Sequence, residues 1–300
     1  MLTIFSIPKP FEGHVGVIQG NAARSWLCLK PKCEIILFGD EPGDEEFSQS
    51  HGIKNIRDVP KTPLGTPLLN SAFEQAQAIA SNQFVCYVNA DIILTPDITH
   101  AVSRLPFSKF LMVGRRWNMD IMSALDFEDP DWLEKLEQQR EQKGILHTPA
   151  GIDYFVFPRG SLERMPDFAV GRPRWDNWLI FRACQLDIPV IDATESVTVI
   201  HQNHGYNHVP GYRGDKWEGP EGDANMSLTG GVQNLYILTD ATWRLTRNRL
   251  IRNITPRHLM RLVYLWIRRR PHLYALFRGF KHAILKSYLL IAQKFTADRS

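Results

Sequence analysis

The chain has 300 residues, 44% hydrophobic and 22% charged, an ordinary globular composition that allows one large α/β domain or two smaller ones and excludes a disordered or collagen-like chain. Four cysteines without a C-x-x-C pair argue against a disulfide scaffold and suit a reducing cytoplasm. The net charge of +3 hides an asymmetry: residues 241–300 hold 14 Lys and Arg against one acid, a net +13, while residues 1–240 hold 21 against 31, a net −10. The tail is thus expected to meet an anionic surface.

The opening M-L-T-I-F-S-I-P-K-P has no basic start and too short an apolar stretch for a signal peptide, so Leu2 to Ile7 is expected to be a first strand. No uncharged apolar run reaches the ~18 residues of a membrane span. Val15 to Leu29 has helical spacing, and Glu34 to Phe38 is a second strand running into Gly39-Asp40. A carboxylate at a strand's carboxyl end is where open α/β sheets keep ligand groups. Ile53 to Val59 is a short third strand, and Thr66 to Ser81 a helix with Pro67 in its first turn. Phe84 to Leu94, F-V-C-Y-V-N-A-D-I-I-L, is the central strand, apolar on both faces except at Asn89 and Asp91.

Next come a helix over Pro96 to Leu105, a strand over Lys109 to Gly114, a solvated helix over Asp129 to Lys143 and a strand over Ile152 to Pro158. A helix from Trp175 to Cys184 precedes strands at Val190 and at Thr198 to Ile200, and Asn203 to Gly231 is a long loop of the kind that often forms a lid. Strands separated by helices imply parallel β-α units, hence a doubly wound, Rossmann-like sheet. No G-x-G-x-x-G follows the first strand, so a dinucleotide cofactor is unsupported. Residues 256–295 are helical and basic, with Leu259, Leu262, Val263 and Trp266 on one face. The change in composition puts a boundary near residue 240.

Three constellations can carry chemistry. Asp91, in an apolar strand, is either a turn or cap residue or a ligand for a hard divalent ion, with Asn89 facing the same side. The run from Ile200 to His208 holds three histidines. They can supply zinc, lend one imidazole to Asp91, or be plain loop residues. In G-R-P-R-W-D-N-W, residues 171–178, Asp176 is either a helix N-cap or a proton acceptor beside Arg172 and Arg174.

The order of these elements over about residues 1–210 resembles the GT-A class of nucleotide-sugar glycosyltransferases, with Asn89-Ala90-Asp91 in place of the Asp-x-Asp triplet. That resemblance implies a GT-A-like, mixed but mainly parallel sheet, assigned to residues 1–240, and leaves outside it the basic helical tail over 241–300 that composition marks off. It also implies Mn²⁺ or Mg²⁺ on Asp91, His201 and, less directly, His204. Asp176 would be the catalytic base, since W-D-N-W is similar to the W-D-D-W of some inverting members. Asp40, Asn70, Asn89, Arg115 and Arg172 would bind the nucleotide-sugar, and Asp153, Trp175 and Trp178 the acceptor. Two departures stand out: Asn89 replaces the first acid of the triplet, and Asn177 the second acid of W-D-D-W. Either Asp176 takes the role of base, or the chain transfers without one, as retaining members do.

The expected activity is transfer of a hexose from a nucleotide-sugar to an envelope, polysaccharide or lipid-linked acceptor. It is expected at the cytoplasmic face of the membrane, with residues 256–295 on anionic lipid and no nucleic acid partner. The rivals are a metal-dependent phosphoester hydrolase and a nucleic-acid-binding protein acting through the tail.

Overall fold

The computed structural model describes residues 1–204, 212–213, 216–217, 219–268, 270 and 272–274. Its elements in chain order begin with β1 (Leu2–Ser6), α1 (Gly13–Leu27), β2 (Glu34–Phe38), α2 (Asp44–His51), β3 (Lys54–Ile56), α3 (Leu69–Ile79), β4 (Phe84–Val88), β5 (Ile92–Leu94) and α4 (Asp97–Ser103). There follow β6 (Leu111–Val113), β7 (Trp117–Met119), α5 (Trp132–Lys143), β8 (Ile145–Leu146), β9 (Tyr154–Pro158), α6 (Trp175–Gln185), β10 (Val190–Asp192) and β11 (Val199–Gln202). The last are β12 (Tyr212–Arg213), β13 (Lys216–Trp217), α7 (Pro220–Leu228), β14 (Trp243–Leu245), β15 (Leu250–Arg252) and α8 (Pro256–Arg268).

Nine strands form one sheet in the order β15-β14-β10-β6-β9-β4-β1-β2-β3. It is mixed and mainly parallel: β1, β2, β3 and β4 run together, as do β6, β10 and β14, while β9 lies antiparallel between β4 and β6. A smaller sheet, β5-β11-β7-β8, stands beside it. The expected α/β architecture is present, and β14 and β15 extend the sheet so that the first compact unit runs from Met1 to Asn253.

Side-chain alternation sorts the central strands into two layers. Ile4, Cys86 and Val88 join Trp26 and Phe110 in the main core. Phe5 and Tyr87 point the other way, into an aromatic layer with Phe73, Phe155 and Trp175 whose ring centroids lie 5.0–6.4 Å apart. Trp175 is the first residue of α6, so this layer seats the start of that helix against the end of β4.

The expected central strand from Phe84 to Leu94 is broken in two. After Val88 the chain turns, with the Ile92 amide donating to the Asn89 carbonyl at 3.1 Å, and β5 pairs with β11 in the smaller sheet. Elsewhere α3 starts at Leu69 rather than Thr66, because Pro67 bridges Lys61 and leaves Leu68 extended. The segment from Asn203 to Gly231, expected as loop throughout, contains α7, started by Pro220. The helix α5 is less solvated than expected, since Leu136 is buried with Met119 and Ile200.

The helix α2, absent from the sequence reading, carries a buried acid at its first position. Asp44 Oδ2 accepts from the Glu41 amide at 3.0 Å, while Oδ1 has no hydrogen-bond partner. Burial pushes its carboxyl up to about 7, with Glu41 and Asp40 adding to the rise against the Glu41 amide and Lys61. The folded form therefore holds a proton that the unfolded chain gives up near pH 4, and stability falls as pH rises from about 4 through 7. Asp44→Asn keeps the acceptor and removes the ionisation. Chemical denaturation should find it about 4 kcal/mol more stable than the wild type at pH 8 and nearly equal to it at pH 4. An equal effect at both pH values would mean that the carboxylate is not strained.

Within the second unit, α8 exposes Leu259, Met260, Leu262, Val263 and Trp266, with Met260 67% exposed. The expected helix over residues 256–295 lies outside the described residues from 275 onward. Among those described, no helix is long and apolar enough to cross a membrane.

Candidate active site

The carboxyl ends of β1 and β4 open onto a cavity of about 550 Å³, the position at which open α/β sheets gather ligand groups. The turn after β4 puts Asp91 at its floor. The antiparallel pairing of β5 with β11 sets Ile92 opposite His201, which carries both histidines to the same place. His204 Nε2 donates to Asp91 Oδ2 at 3.0 Å, and His201 Nε2 lies 3.4 Å from the same oxygen without hydrogen-bond alignment. Buried residues fix the turn from behind. Gln202 donates from Nε2 to the carbonyls of Ile18 and Asp91, and Trp26 Nε1 donates to the Ile92 carbonyl at 2.9 Å.

Ligand-type atoms of Asp91, His201 and His204 all lie within 4.8 Å of one another. Asp91 Oδ1 and both ring nitrogens of His201 are buried without a hydrogen-bond partner, an arrangement costly in a closed apo protein. Burial alone would raise the Asp91 carboxyl. The charges of His201 and His204 and the His204 hydrogen bond outweigh it and hold the group well below the usual carboxylate range. One carboxylate and two imidazoles are a donor set that suits a divalent ion such as Mn²⁺ with open positions for other ligands, so the residues fit a metal.

Asp176 also lines the cavity. It is not the helix cap, the first of the readings above. Arg174 is the N-cap, at φ 88°, and Asp176 is the second helical residue. A left-handed non-glycine residue is strained, and Arg174 is held there by its guanidinium donating to the Gly222 carbonyl at 2.7 Å. Burial pushes the Asp176 carboxyl up to about 6, and the nearby Asp153 charge adds to this against amides of the first turn. That range is apt for proton transfer near neutrality.

The other expected residues divide. Asn89, Asp153, Arg172 and Trp175 line the same cavity. Arg172 donates to Glu221 Oε2 from Nε at 2.9 Å and from Nη2 at 2.6 Å, and Glu221 also accepts from Thr62 and Thr66, so a single buried acid of α7 ties together two segments that line the cavity. Asp40 is outside the lining and paired with Lys61 at 2.6 Å, Asn70 donates to Asp167 at 2.8 Å, and Arg115 donates to the His147 carbonyl. Trp178 faces away, its ring edge-on to Phe168, into a separate groove with Phe181 and Asn234.

Sequence reading missed Lys9, Arg116 and His147, all in the lining. Lys9 had a signal: it stands between two prolines directly after β1, and buried Gln19 accepts its amide at 2.7 Å and donates to its carbonyl at 2.8 Å. It feels the charges of both Asp91 and Arg172. Burial and the Arg116 guanidinium push His147 below the usual imidazole range. Neither His147 nor Arg116 belongs to a local motif that would mark it.

No family model matches the chain, and no curated protein does. Among solved structures it is similar to glucosyl-3-phosphoglycerate synthase from Mycobacterium tuberculosis in complex with Mn²⁺, uridine diphosphate and phosphoglyceric acid. The two are 14% identical over 77% of this chain and 79% of that one, with a TM-score of 0.46. It is also similar to the mannosyltransferase PcManGT from Pyrobaculum calidifontis in complex with GDP-Man and Mn²⁺, at 12% identity, TM-score 0.43, over 69% of this chain and 58% of that one. A third, S. aureus TarS residues 1–349 with UDP-GlcNAc, matches 39% of this chain and 35% of that one at 14% identity and a TM-score of 0.29. These likenesses are distant, and the chain's own sheet order and side chains define its fold and its cavity: a mixed, mainly parallel α/β sheet with a carboxylate in the turn after β4 that meets two imidazoles from β11 and the residues after it.

Proposed function

We propose that the chain is a metal-dependent glycosyltransferase that moves a hexose from a nucleotide-sugar donor to a hydroxyl of an envelope polysaccharide or lipid-linked acceptor. The observation that supports it is the meeting of Asp91, His201 and His204 in one cluster beside a cavity that Asp91 and His204 line together with a second acid, Asp176. In this reading Asp91, His201 and His204 hold Mn²⁺ or Mg²⁺, which when bound supplies positive charge to the donor's diphosphate. Arg172, fixed by Glu221, and Lys9, fixed by Gln19 through its backbone, set two more cations beside that diphosphate. Trp175 forms an apolar wall against which the acceptor is placed. The acceptor oxygen forms a bond to the anomeric carbon as the bond from that carbon to the phosphate oxygen breaks. The hydroxyl proton passes to the Asp176 carboxylate, and the electron pair leaves with the nucleoside diphosphate.

Incubation with UDP-, GDP- and CDP-sugars plus Mn²⁺ should give release of one nucleoside diphosphate that is accelerated by a glycan or polyprenyl-linked acceptor. Release from none of them, together with hydrolysis of simple phosphoesters, would favour a hydrolase instead.

The exposed apolar side chains of α8 and the net charge of +13 in residues 241–300 support placement on the inner face of the cell membrane. Each Lys or Arg near an anionic surface contributes about 1 kcal/mol. The full chain should sediment with phosphatidylglycerol vesicles at low salt, lose most of that binding at 0.5 M salt, and bind phosphatidylcholine vesicles poorly. Leu262→Glu/Trp266→Glu should weaken vesicle binding at least about tenfold, as a charge in the apolar face prevents insertion. Equal binding to neutral vesicles, or none at low salt, would remove the membrane assignment.

A further inference from the structure

The pairing of β4 with β9 sets Val88 opposite Tyr154, so the next pair outward is Asn89 and Asp153. Their backbones are joined, the Asn89 amide donating to the Asp153 carbonyl at 3.0 Å. Their side chains are joined as well, Asn89 Nδ2 donating to Asp153 Oδ1 at 2.8 Å. The same oxygen takes a second donor, Arg116 Nη1, at 2.7 Å. Oδ2 takes none: it is buried without a hydrogen-bond partner in a residue only 5% exposed that lines the cavity. A carboxylate with one oxygen doubly fixed and the other bare and desolvated is costly unless a ligand completes it.

We propose that Asn89 and Arg116 are positioning residues that present Asp153 Oδ2 to a ring hydroxyl of the donor's sugar. The proposal rests on the sugar-transfer reading and deepens it. It also accounts for the amide at position 89, where a carboxylate would stand directly across from Asp153 and repel it. The asparagine is then no weakened metal ligand but the donor that the neighbouring strand requires. A planar carboxylate accepting from a hydroxyl is a charge-assisted contact. A nucleoside diphosphate brings only its ribose hydroxyls and lacks those of the hexose, so an Asp153 that meets the hexose should contribute only to the affinity added by that sugar.

The test uses the full chain with Mn²⁺ and calorimetric binding of UDP, GDP, UDP-glucose, UDP-N-acetylglucosamine and GDP-mannose. The wild type should bind one nucleotide-sugar more tightly than its parent diphosphate. Asp153→Asn keeps Oδ1 and turns the presented atom into an N–H donor. Asn89→Asp places two carboxylates together. Each should cut the sugar's added affinity about tenfold and leave diphosphate binding within about twofold. Asn89→Asp/Asp153→Asn restores one amide and one carboxylate across the pair, so its thermal midpoint should recover while the added affinity stays lost. A structural role would instead return both together.

A loss of diphosphate and sugar affinity in equal measure, or recovery of the sugar's contribution by the double variant, would overturn this proposal alone. Failure of the wild type to bind any of the five ligands would overturn the transferase reading with it.

Discussion

Asp91→Ala is expected to remove Mn²⁺ binding and to lower sugar transfer by roughly 1,000-fold, while the chain stays folded. The side chain is 22% exposed and lies at the cavity floor rather than in the core, so its loss leaves no large void. Outer partners of metal ligands already contribute 10- to 100-fold to affinity when intact. Losing a ligand itself should therefore exceed about 100-fold. The catalytic loss is larger, because charge neutralisation on the leaving diphosphate goes with the ion. His201→Ala and His204→Ala should move both readouts in the same direction. Mn²⁺ binding should also weaken on acidification, as protons compete for both imidazoles. Titration calorimetry with Mn²⁺ alone decides the matter without any donor, and unchanged Mn²⁺ affinity in Asp91→Ala would show that the cluster holds no cation.

The second large effect belongs to Asp176. With its carboxyl pushed up to about 6, the proton-accepting form predominates only above that pH, so kcat/KM should climb through about pH 6 to a plateau. Asp176→Asn should lower kcat about 1,000-fold, leave donor KM within a few-fold, and abolish that acidic limb. The same raised value has an opposite consequence for stability. An ionised carboxylate whose folded value lies above its unfolded one costs stability as pH rises from about 4 through 6. The amide variant should therefore melt at a higher temperature than the wild type at pH 7.5 and equally at pH 4. A stabilised, inactive variant is the mark of an acid kept for chemistry. If kcat survives the substitution, transfer proceeds without this base, as in the alternative left open by Asn177.

Local pattern made the scaffold legible. The strands β1, β2, β4 and β9 are rich in β-branched and aromatic residues and largely buried on both faces, and α1 and α6 carry a 3.6-residue period. The break at Asn89 was less so. Phe84 to Leu94 reads as one strand because the apolar run continues, and only the separate sheet formed by β5 and β11 shows that the chain turns there. A residue's pairing partner is a tertiary fact, and period alone does not carry it. The same limit hid α2 and its strained Asp44, since D-E-E-F-S-Q-S-H is helical by context rather than by any apolar stripe.

By itself, the sequence determined the mixed α/β class, the basic tail, the presence of an acid in the apolar run at Asp91 and of a histidine run after it, and the carboxylate at the head of α6, because each is written in residues next to one another. The tertiary structure alone decided which of these meet. It brought His201 and His204, 110 and 113 positions along the chain, onto Asp91 and joined Asn89 to Asp153 across strands. It turned Trp178 into another groove and left Asp40, Asn70 and Arg115 outside the cavity. The reason is physical: chemistry at a site depends on distances of about 3 Å between side chains, and those are set by strand register and layer packing, which the linear order of residues does not specify.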